Sequence, residues 1–258
     1  MNIGNITVNR IGLGTNRLTD TPQNRGLLQH AFKLGINFID TANIYQGSKS
    51  EQTIGNTLSP YPEELVIATK GGIVAGSPAN NEPAYLRKEL ELSLSRLKTG
   101  CITLYQLHRV NPDTPIEKTM RYLKELQQEG KIKYIGLSEV TVEQIENARS
   151  AVEIVSVQNH YNLSIRKHEK VIDYCEKNNI IFIPFFPLGK AGVINQSLLN
   201  IAGKYEMTPQ QITLAWLLKR SPVMLPIPGT LSSDHLEQNV NALNINLDDV
   251  DFESLNKI

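Results

Sequence analysis

Short apolar runs rich in Val and Ile recur along the chain, each bounded by turn-forming residues. They fall at 10–13, 37–40, 65–70, 102–108, 134–138, 154–158, 180–185 and 223–226. Runs of this length read as buried strands. Between them lie amphipathic stretches of helical length. Segment 82–98 repeats Leu at 86, 90, 94 and 97 beside charged positions, a stripe with the period of a helix. Segment 115–130 has Pro at its start and Gly130 at its end, which are start and stop signals. Segments 141–150, 166–178 and 208–220 follow the same rule, the last opening on Thr208-Pro209 as a cap with proline in the first turn.

Alternating strands and helices predict parallel strands joined by right-handed crossovers. Eight such units in 258 residues, about 32 residues each, predict an α/β protein with a single (β/α)8 TIM barrel. An open doubly wound sheet is the alternative, though it commonly uses fewer strands. No linker or shift in composition divides the chain, so residues 1–258 read as one domain. Residues 3–8 predict a short hairpin closing the bottom of the barrel, and 234–242 and 247–256 predict two C-terminal helices. No long C-terminal loop over the barrel mouth is expected.

Charge narrows the functional classes. Lys and Arg number 26 and Asp and Glu 26, giving a formal net charge of zero, and no basic cluster offers the footprint of a nucleic-acid partner. The longest nearly apolar stretch, 180–188, contains two prolines and is well short of the ~20 residues of a membrane span. The N-terminus lacks the basic and apolar regions of a signal peptide, which points to a cytoplasmic protein without a membrane partner. Cys101 and Cys175 are too few for a disulfide framework or a common zinc site. Both are expected to be plain buried thiols, and no metal is expected.

In a barrel of this kind, residues at the C-terminal ends of the strands face the active site. The second run ends in Asp40, the third in Lys70, the fourth in His108, the fifth in Ser138-Glu139 and the sixth in Gln158. Tyr45 follows five residues after Asp40. Each has an ordinary explanation: Asp40 as a turn opener, Lys70 as a solvated charge, His108 as a rim histidine, Tyr45 as loop packing. Together they make chemical sense. A phenol titrates near pH 10, and an adjacent ammonium held by a carboxylate pulls it toward neutrality. An imidazole beside them would orient a carbonyl oxygen. Such a centre supplies general acid–base catalysis.

These pieces stand among others. Gly12-Leu-Gly-Thr15, Asn37-Phe-Ile-Asp-Thr-Ala42, Ile67-Ala-Thr-Lys70, Tyr105-Gln-Leu-His108, Ile135-Gly-Leu-Ser138, Val157-Gln-Asn-His-Tyr-Asn162, Pro184-Phe-Phe-Pro-Leu-Gly189 and Ile227-Pro-Gly-Thr230 occur in order. In this the chain resembles an aldo-keto reductase over nearly its whole length, with the second half most similar to bacterial pyridoxal-reductase-like members. The resemblance implies that Tyr45 is the proton donor, that Lys70 paired with Asp40 lowers its pKa, and that His108 orients the substrate carbonyl. It implies that Ser138, Glu139 and Gln158 bind the nicotinamide carboxamide, that Phe185 stacks on the ring, and that Gly14, Thr15 and Leu188 line the cofactor site. Gly12-x-Gly14 is then part of the active-site floor. A Rossmann fingerprint fits poorly, because its last glycine position holds Arg17.

Phosphate sites in this fold commonly follow strands seven and eight. Gly229, Thr230, Ser232, His235, Gln238 and Asn239 are therefore the candidate cradle, at the start of a helix where free N–H groups bind anions. An ordinary capped helix explains the same hydroxyls. Many relatives carry Lys where this chain has Gly229 and Arg where it has His235. NADPH is the cofactor the resemblance favours, with NADH as the second option. Gln46 and Glu139 also depart from the Gly and Asn common in the family.

The leading function is NAD(P)H-dependent reduction of a small-molecule aldehyde or ketone, pyridoxal or another small or aromatic aldehyde included. Short segments at 109–114 and 190–195 predict an open pocket. Two other readings stand beside it. A cofactor-binding regulatory subunit with slow turnover would not need all four polar residues. An unrelated barrel lyase or isomerase would leave Gln158, Phe185 and 229–239 without a purpose.

Overall fold

The structure, a computed structural model, describes residues 1–74, 79–189 and 195–258. An antiparallel hairpin of β1 (Asn2–Ile3) and β2 (Ile6–Thr7) comes first. A parallel seven-stranded sheet follows in sequential order: β3 (Leu13–Gly14), β4 (Phe38–Asp40), β5 (Val66–Gly71), β6 (Ile102–Leu107), β7 (Ile132–Ser138), β8 (Ser156–His160) and β9 (Ile181–Phe185).

The eighth expected strand is present as an irregular extended segment. Phe182 donates its N–H to Val223 O and accepts from Leu225 N–H, each at 2.9 Å. On the other side Gly12 N–H reaches Pro226 O at 3.0 Å and Gly14 N–H reaches Pro228 O at 3.4 Å. Segment 223–228 therefore bridges β9 to the first barrel strand and closes the barrel. Pro226 and Pro228 have no N–H to donate, which limits the ladder on this segment.

Phe38, Val66, Ala68, Leu104, Ile181, Ile183, Leu225 and Ile227 fill the barrel interior. Ile3 and Val8 from the hairpin join that cluster and are buried, so the hairpin plugs the bottom as the pattern predicts. Its turn is pinned from outside by Tyr134, whose hydroxyl accepts from Asn5 N–H at 3.1 Å and donates to Asn5 Oδ1 at 2.7 Å.

A second, larger core lies between the strands and the surrounding helices. These helices are α1 (Pro22–Lys33), α2 (Lys49–Leu58), α3 (Pro83–Leu97), α4 (Ile116–Gln128), α5 (Val142–Arg149), α6 (Glu169–Lys177), α7 (Gln196–Lys204), α8 (Pro209–Arg220), α9 (Ser233–Asn241) and α10 (Asp249–Leu255). α8 opens on the expected cap: Thr208 Oγ1 accepts from Gln211 N–H, and the Gln211 side chain returns a bond to the Thr208 backbone. α1, α2 and α7 have no counterpart among the predicted helices, although α1 and α7 are capped by the side chains of Thr21 and Asn195. α2 begins at Ser48, a left-handed residue with φ 71° and no side-chain cap.

Cys175 is buried, but Cys101 is only partly covered. It lines a groove of about 790 Å3 at the hairpin end of the barrel, so its expected full burial is not observed. No helix among the described residues is long and apolar enough to cross a membrane.

Candidate active site

The strand register assembles the site. Gly14 pairs with Asp40, Lys70 with Gln106, and Ser138 with Gln158. The ends of β3 through β8 thus bring their polar side chains to one rim.

Lys70 is fully buried and its ammonium has three oxygen partners: Asp40 Oδ1 at 2.7 Å, Thr41 O at 2.8 Å and Tyr45 Oη at 3.4 Å. Asp40 is held from the other side by the amides of Gln158, at 2.8 Å to Oδ2, and Gln106, at 3.5 Å. His108 lies edge-on to Tyr45, ring centroids 6.1 Å apart at 84°. The four expected catalytic residues therefore form one constellation.

Burial works against the Lys70 ammonium, but Asp40 and Tyr45 outweigh it and raise its pKa. Lys70 is a fixed cation. Burial also raises the Tyr45 phenol above 10, and Asp40 adds to this, although Lys70 and Arg109 pull the other way. The expected lowering by Lys70 acts in the right direction and is outweighed, so the phenol is kept protonated. Burial, then the charges of Lys70 and Arg109, push the His108 imidazole down to about 2. It is a neutral group at any physiological pH, able to donate or accept one hydrogen bond.

A groove of about 430 Å3 runs past this centre. Asp40 and Tyr45 lie at one part of it, with Gly14, Thr15, Arg17, Phe185, Phe186, Leu188 and Gly229 among its other lining residues. Its narrow floor depends on glycine. A Cβ on Gly14 would stand 2.6 Å from Ile227 O, and one on Gly229 would stand 3.1 Å from Gly14 O.

The remaining expected contacts divide. Phe185 presents a partly exposed ring, stacked on His160 at 5.0 Å and 18°. Ser138 is buried and accepts from Arg109 Nη1 at 3.1 Å. Gln158 spends an N–H on Asp40, and the Thr15 hydroxyl is spent on Asp40 O at 2.7 Å. Glu139 has left-handed φ 54° and gives its carboxylate to His160 N–H at 2.6 Å and to Lys167 at 3.4 Å. Burial opposes its charge, but bonds from His168 and His160 win and hold it at about 2. It braces the end of β8.

At the phosphate end, Thr230 and Ser232 bond to each other's backbone or to the helix start. Ser232 N–H donates to Thr230 Oγ1 at 3.0 Å, and Ser232 Oγ caps α9 through His235 N–H at 3.4 Å. The ordinary-cap explanation thus accounts for these hydroxyls. His235 is exposed, Gln238 partly covered and Asn239 buried.

Three residues escaped the sequence reading. Arg17 donates Nη2 to Gly229 O at 3.0 Å, which sets a guanidinium beside a loop with no Lys or Arg of its own. Arg109 lies with Cζ 5.8 Å from the centre of the Phe185 ring. Phe186 is 56% exposed at φ 49°, its carbonyl held by Asn162 Nδ2 at 3.0 Å and Gly189 N–H at 2.9 Å. Arg109 had one sequence signal, its place directly after a strand-end histidine. Most of the 190–195 segment, one of the two short segments that predict an open pocket, lies outside the described residues. No group of three His, Cys, Asp or Glu among the described residues is placed to hold a metal ion.

A closed parallel barrel with Asp40, Tyr45, Lys70 and His108 converging at its C-terminal rim has the groups of an acid–base enzyme site. Residues 10–258 match the model of the Aldo/keto reductase family, and the chain belongs to that family. It is 41% identical to an uncharacterized oxidoreductase of Schizosaccharomyces pombe, covering 99% of this chain and 88% of the relative. It is 36% identical to pyridoxine 4-dehydrogenase of Escherichia coli, covering 99% and 96%. An aldo/keto reductase of Klebsiella pneumoniae, solved with NADP and acetate, superposes with a TM-score of 0.85 at 27% identity over 97% of this chain and 91% of that one.

Proposed function

We propose that the protein is an NADPH-dependent reductase of aldehydes or ketones, with Tyr45 as the proton donor. The observation that carries this reading is the Asp40–Lys70–Tyr45 chain of contacts beside a neutral His108.

The groove fits a long cofactor with an aromatic ring and phosphates. Phe185 offers a stacking face, the glycine-built floor admits close backbone approach, and Arg17 supplies a cation. Phe185 and Ser138 would hold the nicotinamide end, and Gly229, Thr230 and Arg17 the phosphate end. NADP in the Klebsiella relative supports this choice. Bound in reduced form, the cofactor supplies the hydride.

The chain's own residues do the rest. His108, neutral because it is buried between cations, orients the carbonyl oxygen by a hydrogen bond. Tyr45 gives its proton to that oxygen. Lys70 stabilises the phenolate left behind, and Asp40 keeps Lys70 in place and balances its charge. Gln158 and Gln106 fix Asp40 in turn. Positioned acid–base groups of this sort contribute roughly 10²–10⁴ in rate. Pyridoxal is a candidate substrate, supported by the likeness to pyridoxine 4-dehydrogenase.

The test is a panel of carbonyl compounds with loss of reduced-nicotinamide absorbance, run separately with NADPH and NADH. Consumption of NADPH with at least one aldehyde is expected. NADPH binding without turnover on any carbonyl would overturn the reading in favour of a regulatory subunit.

A further inference from the structure

Arg109 brings a positive charge to the catalytic rim that no neighbouring acid neutralises. Its Nη1 donates to His108 O at 2.6 Å and to Ser138 Oγ at 3.1 Å, both neutral acceptors. Among the described residues no carboxylate lies within ion-pairing distance of it, and Nε and Nη2 have no hydrogen-bond partner. The nearby acids are otherwise engaged. Asp40 is taken by Lys70 and Gln158, and Glu139 by Lys167 and the end of β8.

The side chain is only partly covered and lies over the Phe185 ring, on the side of the rim where Tyr45 and His108 feel its charge. A guanidinium with unused donors in a partly dry site favours planar, bidentate anions. Lys70 cannot serve this purpose, because its ammonium is fully buried and its oxygen partners surround it.

We propose that Arg109 is a substrate-binding residue that makes the site selective for carbonyl compounds bearing an anionic oxygen group, a carboxylate or a phosphate ester. This rests on the reductase reading above. The anion would take Nε and Nη2 while the carbonyl oxygen meets Tyr45 and His108, so one substrate spans both.

The test compares 3- and 4-carboxybenzaldehyde with their methyl esters, and pyridoxal with its 5′-phosphate, in the wild type, Arg109→Met and Arg109→Lys. In the wild type, kcat/KM is expected to favour at least one acid over its neutral partner by tenfold or more. Arg109→Met should remove that preference mainly through KM, and Arg109→Lys should restore part of it. Which charged compound is preferred separates carboxylate from phosphate. Binding of 4-(hydroxymethyl)benzoate and of pyridoxine 5′-phosphate to the NADP-saturated protein, followed by calorimetry, provides a readout without turnover. Arg109→Met should weaken the preferred anion at least tenfold. Turnover of the neutral partners with no preference for any anion would overturn the Arg109 assignment alone. An equal loss on charged and neutral compounds would also overturn it, since that marks a residue that positions Ser138. NADPH binding without turnover on any compound would count against the reductase reading, and the calorimetric result would then decide the anion site separately.

Discussion

Gln158 holds Asp40 on the face that Lys70 leaves free, donating to Oδ2 at 2.8 Å while Lys70 donates to Oδ1 at 2.7 Å. The carboxylate is 2% exposed and the ammonium 1%, so neither charge has water to fall back on. Removing one partner of a buried pair costs about 3–5 kcal/mol, because the other charge is left uncompensated. Asp40→Leu should therefore lower stability by that order in urea unfolding and leave little activity. Gln158→Leu removes a hydrogen bond to a charged group, worth about 1.5–3 kcal/mol. A Gln158→Leu protein as unstable as Asp40→Leu would contradict this ranking.

Tyr45 is the only proposed donor in hydrogen-bond reach of Lys70. Tyr45→Phe keeps the ring packed and removes the proton, so carbonyl reduction should fall by at least ~10²-fold. NADPH binding, read by cofactor fluorescence, should change little. Trp216 is unsuited as the reporter, since it is fully buried against Tyr161 and bonded to Asn256, away from the groove. Because burial raises the phenol, reduction by the wild type should persist through mildly alkaline pH. A steep loss between pH 7 and 8 would argue for a different donor.

His108 makes the fold sensitive to acid. Its imidazole titrates at about 2 in the folded protein against 6.5 when free. Between those values the unfolded chain carries a proton that the folded chain does not. Stability therefore falls as pH drops below 6.5, by about 1.4 kcal/mol per unit for one such group. His108→Gln should flatten the dependence of the urea midpoint between pH 6.5 and 5. An unchanged slope would mean that the imidazole is protonated in the folded state.

The barrel was legible because seven of its strands are buried parallel runs bounded by turn residues, five of them with polar residues at the end of the run. The eighth was readable as apolar, but Pro226 and Pro228 make it a bridging segment and not a regular strand. α1 was missed although it opens on Thr21-Pro22, the same cap and first-turn proline that mark α8, whereas α2 offers no such signal, starting after a left-handed Ser48 with no side-chain cap. Asp40, Lys70 and His108 could be found as strand ends, and Tyr45 through the family motif. What the sequence hides is where a side chain points. Glu139 sits beside Ser138 in the chain, yet its left-handed backbone turns the carboxylate toward His160 and Lys167. Arg17 is 212 residues of chain away from Gly229, and only barrel closure brings them together.

Barrel closure also sets a cation at the phosphate end of the groove. The loop 227–233 carries no Lys or Arg of its own, and Arg17, just past the first barrel strand, reaches across to Gly229 O at 3.0 Å. The guanidinium is exposed and keeps donors for a phosphate, to which charge-assisted bonds of about 1.5–3 kcal/mol are open before solvent screening. If it faces the 2′-phosphate, Arg17→Gln should weaken NADPH binding about tenfold, a change of ~1.4 kcal/mol, and affect NADH much less. The difference should shrink in high salt, as expected for an exposed pair. Equal weakening of both cofactors would place Arg17 on the pyrophosphate they share. Unchanged affinity for both would remove it from the site and leave the neutral groups of Thr230 and the start of α9 to hold the phosphates unaided.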